Sequence, residues 1–207
     1  MRVAALYVET DGPYFGRADV DPWDAERDAR QYAGPLPVVA HPPCNRWCLL
    51  APLNEAQYGL RVGDDGGTFA AALDAVRTWG GVLEHPAYSL AWSAYDLPRP
   101  RRGYWRRDLF DPGWVTEVSQ VAYGHAARKR TWLYYVGAEP PPPLDWREPA
   151  ASALVSDLGP GASRRRGDDW IAGVQYADAA RTPPRSVDEL IDLAATDAVE
   201  PREPVTR

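Results

Sequence analysis

The stretch from Val38 to Pro86 constrains the fold more than any other part of the chain. A short apolar strand, Val38-Val39-Ala40, runs into His41-Pro42-Pro43-Cys44. Phe69, Ala72, Leu73, Val76 and Trp79 recur at helical spacing, which predicts a helix over Thr68–Trp79, and Gly80-Gly81 stops it. A second strand, Val82-Leu83-Glu84, then runs straight into His85-Pro86. Strand, motif, helix, strand, motif is the alternation of a mostly parallel α/β sheet. In such sheets ligands sit at the carboxyl ends of the strands, and both motifs fall there.

The flanking sequence extends this pattern. Arg2–Val8 reads as a first buried strand, broken by Asp11-Gly12-Pro13. Asp24–Tyr32 is polar and reads as a helix, with Pro35 and Pro37 at its exit. Trp114–Val121 and Thr131–Val136 read as two further strands, joined by the connection Ala122–Arg130. Pro140 to Pro143 form an extended run that closes an α/β catalytic-like domain over residues 1–145. Residues 146–207 read as a C-terminal extension. It holds a loop at Ser163–Asp169, a helix at Ser186–Ala195 with Ser186 as N-cap and Glu189 three residues later, and a frayed tail from Val199. The architecture expected is a truncated Rossmann-like, methyltransferase-type core.

Composition narrows the class of protein. The formal net charge of the 207-residue chain is −6, so its surface as a whole does not advertise a polyanion partner. Cationic side chains are nevertheless crowded in one place: Arg99, Arg101, Arg102, Arg106 and Arg107 interleave with Tyr104 and Trp105. No apolar run approaches the roughly 18–20 residues needed to span a bilayer. The opening Met1–Val8 is too short and too quickly polar for a signal peptide. Cys44 and Cys48 are the only cysteines, which is no disulfide framework. A soluble, cytoplasmic protein with no membrane partner is expected.

Three motifs carry chemistry. Cys44, after Pro42-Pro43 at a strand end, is rigidly held and can act as a nucleophile if its thiolate is stabilised; otherwise it is a small buried hydrophobe. Glu84 and His85 put a carboxylate and an imidazole at the neighbouring strand end, for proton transfer or for pairing with an arginine. Tyr123-Gly124-His125, followed by Arg128-Lys129-Arg130, places cations between two strands, where they stabilise an oxyanion or a phosphate or form a solvated hairpin.

Taken together, Pro42-Pro43-Cys44, Glu84-His85-Pro86 and Tyr123-Gly124 with Arg128-Lys129-Arg130 resemble the catalytic motifs of cytosine-5 DNA methyltransferases, in the same order. Cys44 and Glu84 are 40 residues apart, and Glu84 and Arg128 are 44 apart, close to that family's gaps. The chain looks still more like small, often phage-encoded proteins with a His-Pro-Pro-Cys and a Glu-Asn/His-Pro motif. The resemblance covers roughly residues 36–137. It implies that Cys44 attacks C6 of a flipped pyrimidine, that Glu84 protonates or holds N3, with His85 beside it, and that Arg128 or Arg130 contacts O2. It implies DNA or a pyrimidine nucleotide as partner, with Asn45, His125 and Lys129 as binding residues; the clustered Arg101, Arg102, Trp105 and Arg106 read, from their charge and aromatic interleaving, as a loop that guides the substrate. Asn45 stands where the family commonly has Gln, His85-Pro86 where it has Asn-Val, and Ala126-Ala127 where it has Pro-Gln. Only 43 residues precede Cys44, and Thr10–Gly16 is a weak stand-in for the Gly-rich unit that binds S-adenosylmethionine. The expectation is therefore pyrimidine chemistry without a tight S-adenosylmethionine site of the usual kind.

Two other readings of the same residues stay open. His41, Cys44, Cys48 and His85 offer the nitrogen and sulfur donors of a metal-binding protein or metal-dependent hydrolase. The Arg99–Arg107 segment reads as a non-enzymatic nucleic-acid-binding module, with arginines on phosphates and Tyr104 and Trp105 on bases.

Overall fold

The computed structural model describes residues 1–137, 139–155, 163–166, 169–174 and 181–196. Its centre is a seven-stranded sheet in the order β2-β1-β3-β4-β7-β6-β5. The strands are β1 (Val3–Leu6), β2 (Val20–Trp23), β3 (Val38–Ala40), β4 (Gly81–Pro86), β5 (Arg106–Arg107), β6 (Trp114–Ser119) and β7 (Arg130–Val136). β2, β1, β3 and β4 pair in parallel. β4 with β7, β7 with β6 and β6 with β5 pair antiparallel, and these ladders hold the larger share of paired residues. The mostly parallel sheet expected from the sequence is thus a mixed one. The cause is local: the compact turn between β6 and β7 permits only an antiparallel hairpin, since a parallel pair needs a long crossover.

Helices cover both faces. On one side lies α2 (Thr68–Trp79), matching the predicted span, preceded by α1 (Ala51–Tyr58) and followed by α3 (Ala91–Ala94). Asp65 fixes the start of α2: its carboxylate accepts from the backbone of Gly67 (2.9 Å) and Phe69 (2.9 Å), from Thr68 Oγ1 (3.0 Å), and from Trp47 Nε1 (2.8 Å). Phe69, Ala72, Leu73 and Val76 pack on Leu6, Val38, Ala40, Leu83 and Tyr134. Gly81, at φ 110°, lets the chain turn from α2 into β4 against β3, where a Cβ would lie 2.0 Å from the Val38 carbonyl oxygen.

The opposite face is covered by α4 (Pro184–Ala195), whose Val187, Leu190, Ile191, Leu193 and Ala194 pack with Val3, Ala5, Val39, Val82 and Leu133. This C-terminal helix shares a core with the first strands of the chain. Its start differs from expectation: Pro183 is the N-cap, Pro184 supplies the preset first-turn φ, and Ser186 is buried within the helix. Asp24–Tyr32 is also not an α-helix. The Asp24 carboxylate accepts from the amides of Glu26 and Arg27, a turn that competes with helix, and only Ala29–Gln31 forms a 3-10 turn. β6 ends at Ser119, and Gln120–Tyr123 coils into a second 3-10 turn. A three-stranded sheet is made by β8 (Ala153–Val155), β9 (Ser163–Arg166) and β10 (Asp169–Val174), so the predicted loop at Ser163–Asp169 contains a strand and the start of another. The tail from Val199 lies outside the described residues. Among the described residues no helix is long and apolar enough to cross a membrane.

Candidate active site

The chain passes from β1 to β2 on one side and then to β3 on the other, so the parallel strand order reverses between β1 and β3. Such a switch point leaves a crevice at the carboxyl ends of the two strands. A cavity of about 870 Å3 opens there, within the range of small-molecule sites. It is lined by the loop after β1 (Tyr7–Tyr14), by His41–Cys44 after β3, by Glu84 and Pro86 of β4, by Arg128 and Lys129 before β7, and by Arg181 and Thr182 ahead of α4. β7 runs antiparallel to β4, which brings its amino end, with Arg128 and Lys129, to the same edge.

A chain of hydrogen bonds crosses the cavity floor. His41 Nδ1 lies 3.0 Å from Glu84 Oε2, and His41 Nε2 lies 2.7 Å from the Tyr14 hydroxyl. An ionised carboxylate only accepts, so Nδ1 carries the proton, and in the neutral ring Nε2 accepts from Tyr14. Gln120 Nε2 donates to Glu84 Oε1 (3.0 Å) and to Thr131 Oγ1 (3.0 Å). Both Glu84 oxygens are therefore engaged. Burial by itself would raise the Glu84 carboxyl, but the hydrogen bond from His41 and then the charge of Lys129 hold it down to about 2. Cys44 goes the other way: burial first, then Cys48 and Glu84, push its thiol up to about 11, against the opposing charge of Lys129. Burial, followed by the charge of Glu84, keeps the Tyr14 phenol protonated well above its usual range. Tyr7, at φ 60°, carries the chain out of β1 in a left-handed conformation that bulky side chains rarely adopt, a cost concentrated at functional sites.

The structure thus brings Cys44, Glu84, Arg128 and Lys129 to one cavity, together with His41. It does not bring His85 there. Successive residues of a strand face opposite sides, and His85 lies under α2, 5.2 Å from Phe69 and 6.3 Å from Trp92 between ring centroids. Both its ring nitrogens are buried without a hydrogen bond, although the carbonyls of Pro43 and Pro42 approach the ring. Burial outweighs the attraction of Glu84 and lowers its pKa to about 4, so the ring is neutral. His125 is buried in the connection to β7, its Nδ1 3.0 Å from the Ala127 amide. Asn45 is exposed and Cys48 partly buried, and neither lines the cavity. Among the described residues no three His, Cys, Asp or Glu side chains are grouped to hold a metal ion; His85 faces away from His41 and Cys44 across the sheet. The weak stand-in for a cofactor loop also has another use. Gly12 closes a tight turn on Glu9, where a Cβ would meet the Glu9 carbonyl oxygen at 2.8 Å, so its bare backbone faces its own chain.

The remaining arginines assemble elsewhere. Arg130, Arg101 and Arg102 line a second cavity. Arg106 is exposed on β5, with Nη1 donating to the Arg99 carbonyl (3.3 Å). Trp105 is not free to stack: Nε1 donates to the Pro142 carbonyl (2.8 Å) and the ring rests on Tyr135. Tyr14, Gln120 and Thr131 were not singled out by sequence. The signal for Tyr14 was its place just after the first strand, where parallel sheets collect ligand-binding residues. No protein-family model, curated protein or solved structure matches the chain.

Proposed function

We propose that the protein is an enzyme that modifies a pyrimidine base, in DNA or in a nucleotide, by covalent attack of Cys44 on C6. The observation that carries the reading is the convergence of Cys44 with the Tyr14–His41–Glu84 chain and two cations in one nucleotide-sized cavity. The sequence resemblance to cytosine-5 DNA methyltransferases, and the α/β core behind it, support the same chemistry. The roles differ in one respect from what that resemblance implies. Glu84 is held ionised with both oxygens engaged, so it orients His41, and the Tyr14–His41 pair handles the proton, the Tyr14 hydroxyl releasing His41 Nε2 as substrate enters. The thiol is held protonated in the free protein, so His41 takes its proton as substrate binds. The Cys44 sulfur then bonds to C6, the C5=C6 π bond breaks, and negative charge on the ring is balanced by Lys129 and Arg128. C5 becomes nucleophilic and takes a proton; loss of a proton from C5 and expulsion of Cys44 restore the ring. No step passes through S-adenosylmethionine.

This half-reaction exchanges the C5 hydrogen with solvent, and proton NMR in D2O reads it directly on cytosine-containing oligonucleotides and on deoxycytidine monophosphate. Loss of exchange in Cys44→Ser is the expected result; equal exchange by that variant would sink covalent catalysis. The high thiol pKa favours one second reading, acid–base catalysis by His41 on the same ligand with no covalent step. Under it, turnover survives Cys44→Ser and falls about 100- to 10,000-fold in His41→Asn.

A further inference from the structure

The second cavity has a composition the first does not explain. It measures about 590 Å3 and is lined by Arg99, Arg101, Arg102 and Arg130, by Tyr88, Tyr104 and Trp132, and by one acid, Glu117. It is built from four separate segments, one of them β6, which supplies Glu117. Residues 99–104 are stapled to β6: the Glu117 amide donates to the Arg101 carbonyl (3.1 Å), and Thr116 Oγ1 donates to the carbonyls of Arg101 (3.2 Å) and Tyr104 (2.9 Å). Tyr88 follows β4 in a left-handed conformation at φ 67°, strained for a bulky residue. Arg130 and Trp132 come from β7.

The single acid is already spent. Glu117 Oε1 accepts from Arg130 Nε (2.9 Å) and Nη2 (2.5 Å), and Oε2 accepts from Trp132 Nε1 (2.9 Å). Glu117 therefore locks the Arg130 guanidinium, whose other side lies 5.1 Å from the Tyr88 ring centroid. Arg102 is paired with Glu148. The side chains of Arg99 and Arg101 have no partner among the described residues. Two exposed, unpaired guanidinium groups line one cavity, on a chain of net charge −6, with a third held rigid by a buried carboxylate. Planar guanidinium forks match the oxygens of phosphate.

We infer that this second cavity binds a phosphate group. Arg99 and Arg101 supply the free donors, and Glu117-locked Arg130 the fixed one. Consecutive residues join the two cavities, since Arg128 and Lys129 line the first and Arg130 the second. That the phosphate belongs to the substrate of the first cavity rests on the function proposed above; the phosphate site itself does not.

Calorimetry on the full chain tests it with three probes: inorganic phosphate, deoxycytidine monophosphate, and a single-stranded oligodeoxynucleotide of about 12 nucleotides. Wild type binds at least one of them with an affinity that falls as salt rises. Arg99→Ala/Arg101→Ala weakens that binding about 10- to 100-fold, the loss expected for charge-assisted hydrogen bonds. Its melting temperature stays unchanged, because neither side chain is used in the fold. Tight binding of the oligonucleotide alone assigns the phosphate to a nucleic-acid backbone, and preference for the monophosphate assigns it to a free nucleotide. Binding of inorganic phosphate does not involve Cys44 or the first cavity, so failure of the covalent reading leaves this result standing. No binding of any probe, or equal binding by wild type and the double variant, overturns the site.

Discussion

Glu84 and His85 are consecutive on β4 and equally withdrawn from water, at 7% and 0% exposure, but they face opposite sides of the sheet. On the α4 side Glu84 is charged and saturated with hydrogen bonds from His41 and Gln120. On the α2 side His85 is neutral, boxed by Phe69 and Trp92, and its nitrogens are unpaired. One residue has had its environment built to keep a charge, the other to refuse one. The lesson is that burial alone does not mark a catalytic group; the partners supplied to it do.

The largest effect that sharpens this contrast is on stability. Glu84→Ala removes the carboxylate from a buried pair and strands His41 and Gln120, which costs about 3–5 kcal/mol. His85→Phe keeps a ring of similar shape and removes two unpaired nitrogens, so it costs less than about 1.5 kcal/mol. Urea unfolding of both variants measures the difference. Equal losses would erase the distinction between the two faces.

The next effect is in pH. The folded His85 ring has a pKa of about 4 against 6.5 for an ordinary histidine, so between those values the unfolded chain binds more protons. Stability is full above pH 6.5 and is lost as pH falls toward 4. The loss between pH 7 and pH 5 is about 2 kcal/mol. Glu84, lowered to about 2 from 4.5, contributes stability that is full above pH 4.5 and is lost only as pH falls through 2. Above pH 5, then, only His85 of this pair is felt. Unfolding curves at pH 7 and pH 5 should converge in His85→Phe, and a wild-type slope that survives that substitution would refute the assignment.

Much of the fold was legible because its signals are local and periodic. Thr68–Trp79 has five apolar residues at helical spacing and two stopping glycines, and Val38–Ala40 is a short apolar run before two prolines. The parts that were not legible depend on distant pairing. β2 holds a proline and an aspartate, and it exists because Val3–Leu6 provides a ladder for it. Asp24–Tyr32 was polar enough for a surface helix, but the Asp24 side chain captures the amides a helix would have used. Within the site, motif order is enough to group Cys44, Glu84 and Lys129, whereas His85 leaves that group because successive strand residues face opposite sides of the sheet. Tyr14 and Gln120 carry no motif, and only the meeting of β1, β4 and β6 at one sheet edge gives them a role.

The smallest effect tests whether Tyr14 belongs to the charged side of the contrast. Its phenol stays protonated and donates to His41 Nε2 at 2.7 Å, so Tyr14→Phe removes one donor and leaves His41 held by Glu84 alone. A single hydrogen bond of this kind contributes about 1 kcal/mol. Double-mutant cycles locate that energy. Tyr14→Phe combined with His41→Asn should show a coupling of about 1 kcal/mol, because each substitution destroys the same bond. Tyr14→Phe combined with His85→Phe should be additive within about 0.5 kcal/mol, because the two rings share no hydrogen-bond partner and lie on opposite faces of β4. Coupling in the second cycle as large as in the first would mean that the sheet transmits between its faces. The separation of a proton-handling side from an aromatic side would then fail.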